Sequence, residues 1–418
     1  MLAMPPPALD RRDVLRWAGA AGVSALASAC GGGGSNAANP APGDEAIARN
    51  WSELTPQNAP ATFRNTDRIG PTRAFVRAGT AAVPLPAHAR SLNASLSYAY
   101  GGRSTTLQEF MDRTRNGGLL VLKGGAVAFE SYGLGNTATS RWTSFSVAKS
   151  LTSTLFGAAI EAGALSSLDL AVHTVLPSLG GSAYEGATIR QLLRMTSGVR
   201  WIEDYTSATS DFAAMADILL SQRSGALLDY MARRPRVATP GTRWNYNSGE
   251  TFVLGAVLSA VTGQRLSTLT TQWIWSRAGM EADGYWMLEA PDALELAGGN
   301  FSATLRDYGR LGLFVLREGQ VGLQRLLPVG WRDLAGRPDT ALTEPGRLSG
   351  QSLGYGYQWW SLPNSSAFTA QGIFGQYLHI DPAEDLVAVV WSAWPTPNNA
   401  AFEAETYAML AAATSALR

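Results

Sequence analysis

The sequence is poor in three residue types that carry chemistry. Of its 418 residues one is cysteine, three are histidine and two are lysine. A single cysteine, Cys30, permits neither an intrachain disulfide nor a cysteine metal site. The histidines, His88, His173 and His379, are scattered along the chain. No H-E-x-x-H pair occurs, so a zinc peptidase has no foothold, and a histidine triad would have to recruit one of these three scattered histidines. An excess of one charge is also missing. Lys plus Arg and Asp plus Glu number 33 each, and no basic run is present, which sets nucleic-acid binding aside. Nearly every cation is arginine, so the two lysines, Lys123 and Lys149, are informative. What remains is ordinary for a globular protein: 46% hydrophobic and 16% charged residues.

Long apolar runs are absent as well. Arg11-Arg12 precede a run from Trp17 to Ala29 that is too short to span a bilayer. Residues 1–30 therefore read as a signal peptide, and the arginine pair points to the twin-arginine route. Cys30 stands where a lipoprotein would be cut and acylated, which makes it a candidate lipid anchor. The alternative is a plain secreted protein cut near Ala29. Residues 31–60, rich in Gly, Pro, Ala and Asn, read as a flexible linker. The folded domain is then 61–418, and the expected location after export is the periplasm or, as a lipoprotein, a membrane anchor.

Within that domain "TTLQEFMDRTRNGG" carries a capping-box start and a glycine stop, the signature of a helix. "LLVLKGGAVAFESYG" reads as a β-hairpin, with Lys123 at its tip as a solvated charge. "AKSLTSTLFGAAIEAG" is a helix. Helical spacing recurs at 189–196, 211–222, 249–262, 266–278, 304–317 and 328–335. "YGYQWW", "FTAQGIF", "YLHIDP" and "LVAVVWS" read as consecutive strands, followed by a last helix from about 399 to 417. This order predicts an α+β fold: an antiparallel sheet flanked by terminal helices, with a mostly helical insertion over about 164–320.

The chemistry concentrates at "SFSVAKS". Ser146 and Lys149 are three residues apart at a helix start, so their side chains share one face. A serine hydroxyl needs a base to become a nucleophile. An amine can serve once burial lowers its pKa, whereas a guanidinium never gives up its proton. Leu155, Phe156, Ala159 and Ile160 continue the helix with apolar spacing, which buries it and presses Lys149 against core. The helix start also offers amides and a positive dipole end to an oxyanion. The bland alternative is a capping serine and a surface lysine.

Tyr246, in "WNYNSGE" ahead of an apolar helix, is the candidate third proton carrier. With "SVAK", "YNS", "AQGIFGQYLHIDP", "TIRQLLRMTSGV" and "SATLRDYGRLGLFVL" in view, residues 65–415 resemble the serine β-lactamase and penicillin-binding-protein superfamily. Within it the chain is most similar to nylon-oligomer (6-aminohexanoate-dimer) hydrolases and related carboxylesterases. The resemblance implies Ser146 as nucleophile, Lys149 as base and Tyr246 as relay to the leaving group, and an oxyanion hole from the amides of Ser146 and Ile373. It also implies a tyrosine, here Tyr205, on a loop that closes over substrate. Two positions depart from the pattern. Ser248 stands where the family has Asn, and Ala370-Gln371-Gly372 stands where a Lys or His precedes a Gly. The missing cation argues against a β-lactam or a peptide carboxylate and for a neutral ester or amide.

Glu203 and Asp204 read as a solvated loop, with a substrate amine as the functional alternative. Trp201, Trp286, Trp359 and Trp360 lie in segments able to border the site. The sequence thus predicts an exported serine hydrolase of small esters or linear amides that needs no metal or other cofactor. Two rivals stand beside it: a β-lactamase or D-Ala peptidase, and a non-catalytic binding module tethered to the envelope.

Overall fold

The computed structural model describes residues 46–79 and 81–418. The expected signal peptide, Cys30 and residues 31–45 of the expected linker lie outside the described residues. The rest of that linker is not one. Trp51–Glu53 forms a 3₁₀ turn and Ala59–Arg64 a short helix. Ala48, Ala59 and Phe63 are buried, the Ala48 amide donates to Thr62 Oγ1 at 3.0 Å, and the Phe63 ring lies 5.4 Å from Trp142. Small residues and a proline, which suggest a tether by composition, here permit close packing, and Pro60 sits in the first helical turn where its missing amide costs nothing.

The main sheet has seven antiparallel strands in the order Gly354–Tyr355, Trp360–Ser361, Phe368–Gly372, Gln376–Asp381, Leu386–Ser392, Asn116–Lys123, Ala126–Tyr132. Its central strands are apolar on both faces because both faces are covered. Leu120, Leu122, Val387 and Val389 face one core, shared with the helices Val147–Glu161 and Leu305–Leu316. Leu119, Val121, Ala388 and Val390 face the other, shared with Leu107–Arg113 and the last helix, Ala400–Ala416. The period-2 alternation of a strand assigns each residue to its face. Helix Leu305–Leu316 lies very close to the sheet: a Cβ on Gly309 would come within 2.6 Å of Leu120 Cδ2, and one on Gly312 within 2.5 Å of Val387 Cγ1.

The expected α+β architecture is thus present, and several elements differ in detail. "YGYQWW" is two short strands around a tight turn in which Gln358 takes φ 63°, pinned by its amide on the Leu192 and Leu193 carbonyls. The helix expected at 266–278 becomes Leu266–Thr270 and a π-helical turn, Thr271–Trp275. A second antiparallel sheet went unforeseen: Thr72–Phe75, Gly284–Met287, Phe301–Thr304 and Arg141–Thr143, in that order. Two of its strands fall inside the span expected to be mostly helical. Strands of three or four residues carry too few alternations to signal themselves. This sheet delivers the chain, through Arg141–Thr143, to Ser146.

Lys123 also departs from expectation. The hairpin tip packs on the 382–385 turn. The Lys123 amine donates to the Glu384 carbonyl and lies 3.4 Å from its carboxylate. The charge is half-buried and paired, because the neighbouring strand that begins at Leu386 brings its turn alongside.

Candidate active site

From Trp142 to Ala159 every residue is buried except Ser146. Its hydroxyl is therefore the one point of this stretch open to a ligand. Phe145 enters the turn at φ 44°, a left-handed conformation disfavoured for a large side chain. Aromatic packing holds it there: the Phe145 ring lies 4.9 Å from Phe63, 5.3 Å from Phe374 and 5.6 Å from Trp51. The following amides of Val147, Ala148 and Lys149 turn back onto the carbonyls of Ser144, Phe145 and Ser146. Helix Val147–Glu161 begins there, with Ser146 as its N-cap residue.

One turn into the helix, Lys149 Nζ lies 2.8 Å from Ser146 Oγ and 2.7 Å from the Gly298 carbonyl. Lys149 is 1% exposed, and no ion pair holds it among the described residues. Burial lowers its pKa to about 8, and the charge of Glu203 opposes that fall without cancelling it. Gly298 belongs to a tight loop in which Ala297 and Asn300 have positive φ. Thr152, one turn further along the helix, donates to the Ala297 carbonyl at 2.8 Å. The Phe301 amide donates to Ser144 Oγ at 3.0 Å. This loop sets the position of the lysine amine. It escaped the sequence reading, and its only signal is the glycine pair Gly298-Gly299.

Tyr246 is brought to the same point. Lys149 Nζ is 5.1 Å from the centre of its ring, and Ser146 lies close enough to influence its phenol. Burial, then the charge of Glu203, pushes the phenol well above its ordinary pKa, and the contact with Ser146 pulls the other way. The phenol therefore keeps its proton. Trp360 stacks on Tyr246 at 5.6 Å, and Trp244 lies 6.4 Å away. Of the other tryptophans considered, Trp286 and Trp359 are core residues, and Trp201 is buried with its indole on Glu203.

Strand Phe368–Gly372 supplies the opposite wall. A Cβ on Gly372 would stand 2.7 Å from the Ser144 carbonyl and 3.1 Å from the Ser146 amide nitrogen, so only glycine lets the strand come this near. Ile373 follows at the rim, and Phe374, at φ 63°, packs back on Phe145. In the Ala370-Gln371-Gly372 segment, where no cation stands, Ala370 is buried and the Gln371 side chain donates to the Tyr407 hydroxyl at 2.6 Å.

The loop at 203–205 corrects the expectation of a solvated acidic pair. Asp204 is exposed and accepts from the Thr206 and Ser207 amides at 2.8 and 3.1 Å, a turn cap. Glu203 is half-buried and fully engaged: it accepts from the Trp201 indole, the Tyr205 hydroxyl (3.0 Å), the Ser248 amide (3.0 Å) and the Ser248 hydroxyl (2.6 Å). Ser248, at the start of helix Ser248–Thr262, therefore spends its hydroxyl on Glu203. An acidic residue at a loop with Trp and Tyr neighbours was visible in the sequence, but the donor across the cleft was not.

Two hollows meet at Ser146. One is apolar, lined by Trp51, Met215, Leu219 and Leu296 among others, and the second is polar, lined by Glu203, Tyr246, Gln371 and Gly372 among others. Ser146, Tyr205 and Ile373 border both, and no histidine lines either.

The chain is similar to several known proteins. The family model described as Beta-lactamase matches residues 104–413. The 6-aminohexanoate-dimer hydrolase of Paenarthrobacter ureafaciens is 30% identical over 308 residues, spanning 72% of this chain and 78% of that protein. Among solved structures, a Bacillus anthracis protein assigned as a 6-aminohexanoate-dimer hydrolase superposes with a TM-score of 0.75 at 23% identity, over 85% of this chain and 94% of its own. A family VIII carboxylesterase superposes with a TM-score of 0.58 at 17% identity, over 74% and 95%.

Proposed function

The chain belongs to the beta-lactamase family, and on that premise we propose that it is an exported serine hydrolase cleaving small esters or linear amides through an acyl-enzyme on Ser146. The observation that carries this reading is the 2.8 Å contact between a buried amine without an ion pair and the only accessible hydroxyl of its stretch. With a pKa of about 8, roughly a tenth of the Lys149 amines are neutral at pH 7. In that state the Ser146 hydroxyl donates to the Nζ lone pair, and the Gly298 carbonyl keeps the amine aimed.

In the first step Oγ attacks the substrate carbonyl carbon and its proton passes to Lys149. The carbonyl π pair moves to oxygen, facing the amides of Ser146 and Ile373, and one such donor is typically worth about 3–4 kcal/mol in the transition state. The C–O or C–N bond then breaks, and the leaving group takes a proton handed on through the Tyr246 phenol, which Lys149 reprotonates. Water completes the cycle: it attacks the acyl carbon and gives a proton back along the same path, and Oγ leaves the carbon protonated. The Ala370-Gln371-Gly372 segment carries no cation to hold a carboxylate, which favours neutral substrates over β-lactams and peptide C-termini.

Intact mass after fluorophosphonate treatment tests the proposal. One adduct is expected on the native protein and none on Ser146→Ala; equal labelling of the two would refute it. Export and acylation at Cys30 are tested separately by detergent-phase partition of the full chain, which Cys30→Ala should abolish.

A further inference from the structure

We infer that the acyl half of the substrate is an uncharged aliphatic chain longer than acetyl, seated in the apolar hollow, while the leaving half lies in the polar cleft. The inference rests on the reading of Ser146 as the acyl acceptor and adds the substrate class. Its first support is the division of the site. Trp51, Leu54, Met215, Leu219, Leu227 and Leu296 line the apolar hollow, and no Asp, Glu, Lys or Arg does. Glu203, Trp244, Gln351, Gln371 and Glu403 border the cleft on the other side.

Tyr246 decides which half goes where. It borders the cleft and not the apolar hollow. A group that hands a proton to the departing oxygen or nitrogen must stand on the leaving-group side, so the acyl chain is directed into the hollow.

Charge then narrows the acyl class. An ammonium at the end of the chain would lose its hydration among Leu, Met and Trp side chains with no carboxylate to meet it. Glu203, which borders the cleft and not the hollow, already accepts four hydrogen bonds. This separates the chain from the substrate named for its relative, whose acyl half ends in an amine. The hollow is also built in part by the segment that composition alone assigns to a linker, through Trp51 and Leu54.

The experiment measures kcat/KM for p-nitrophenyl acetate, butyrate, hexanoate, octanoate and 6-aminohexanoate on the native protein, Ser146→Ala, Ala216→Phe and Leu219→Asp. Ala216 is a partly exposed residue on the wall, where a larger side chain projects into the hollow. Rates should climb from acetate upward by up to about fourfold per methylene, the equivalent of ~0.8 kcal/mol each. Hexanoate should exceed 6-aminohexanoate by at least about tenfold, in line with burying an unpaired charge. Ala216→Phe should lower the octanoate-to-acetate ratio, and Leu219→Asp should raise the 6-aminohexanoate-to-hexanoate ratio. A flat series, or equal turnover of hexanoate and 6-aminohexanoate, overturns the acyl assignment and leaves the Ser146 chemistry standing. Turnover that survives Ser146→Ala, or none on any ester, overturns that chemistry and the assignment with it.

Discussion

The two lysines of this chain sit in opposite environments. Lys123, at a hairpin tip, is partly wet and lies 3.4 Å from the Glu384 carboxylate. Lys149 is 1% exposed, and its amine meets a hydroxyl, a carbonyl and the face of the Tyr246 ring, with no carboxylate in an ion pair. A partner carboxylate and nearby water keep an amine charged; burial among neutral dipoles makes the charged form costly. The same side chain is therefore a clamp in one place and a base in the other, and environment alone separates the roles.

The sharpest test of this contrast exchanges each lysine for arginine. Lys149→Arg and Lys149→Ala should lower ester kcat/KM by about 10²–10⁴-fold, the usual range for losing a general base. Lys123→Arg should leave kcat/KM within about twofold, since a guanidinium keeps the pair to Glu384. If Lys149→Arg retained native turnover with a native far-UV spectrum, the neutral-amine reading would fall.

A pH profile gives the next largest effect. The neutral amine is the active form, so kcat/KM should rise about tenfold per pH unit at low pH and level off above about 8. A profile already flat from pH 5 would mean that burial does not lower this amine.

Glu203 offers a subtler change. Its charge holds the Lys149 pKa up, so Glu203→Gln should move the acidic limb to lower pH. Glu203→Ala leaves the Ser248 hydroxyl and amide and the Tyr205 hydroxyl without an acceptor, and should cost about 1–3 kcal/mol in chemical denaturation. The smallest effect belongs to the other lysine. Glu384→Ala should barely move the midpoint of chemical denaturation and leave the pH profile unmoved, because partly solvated ion pairs contribute little.

The parts of the fold that were legible are those with long local patterns. The Thr106 capping box with Glu109, the hairpin at 116–132 and the helix from Val147 all repeat their signal over several residues. Strands Phe301–Thr304 and Arg141–Thr143 repeat nothing, since each exists only through its partner. Residues 46–60 misled for a related reason: their composition is that of a tether, and only Thr62, which the Ala48 amide meets, and Phe145, on which Trp51 packs, tie them to the core.

At the site the division is similar. The residue types and the three-residue spacing determined by themselves that Ser146 and Lys149 would touch, because a helix puts such positions on one face. The scarcity of lysine marked the position, and the missing cation before Gly372 marked the chemistry. Tertiary structure alone decided that the amine is dry, that Gly298 aims it, that Glu203 occupies Ser248, and that an apolar hollow and a polar cleft meet at one hydroxyl. Burial, local dielectric and the pairing of polar groups depend on residues remote in sequence, and those neighbours exist only once the chain has closed around them.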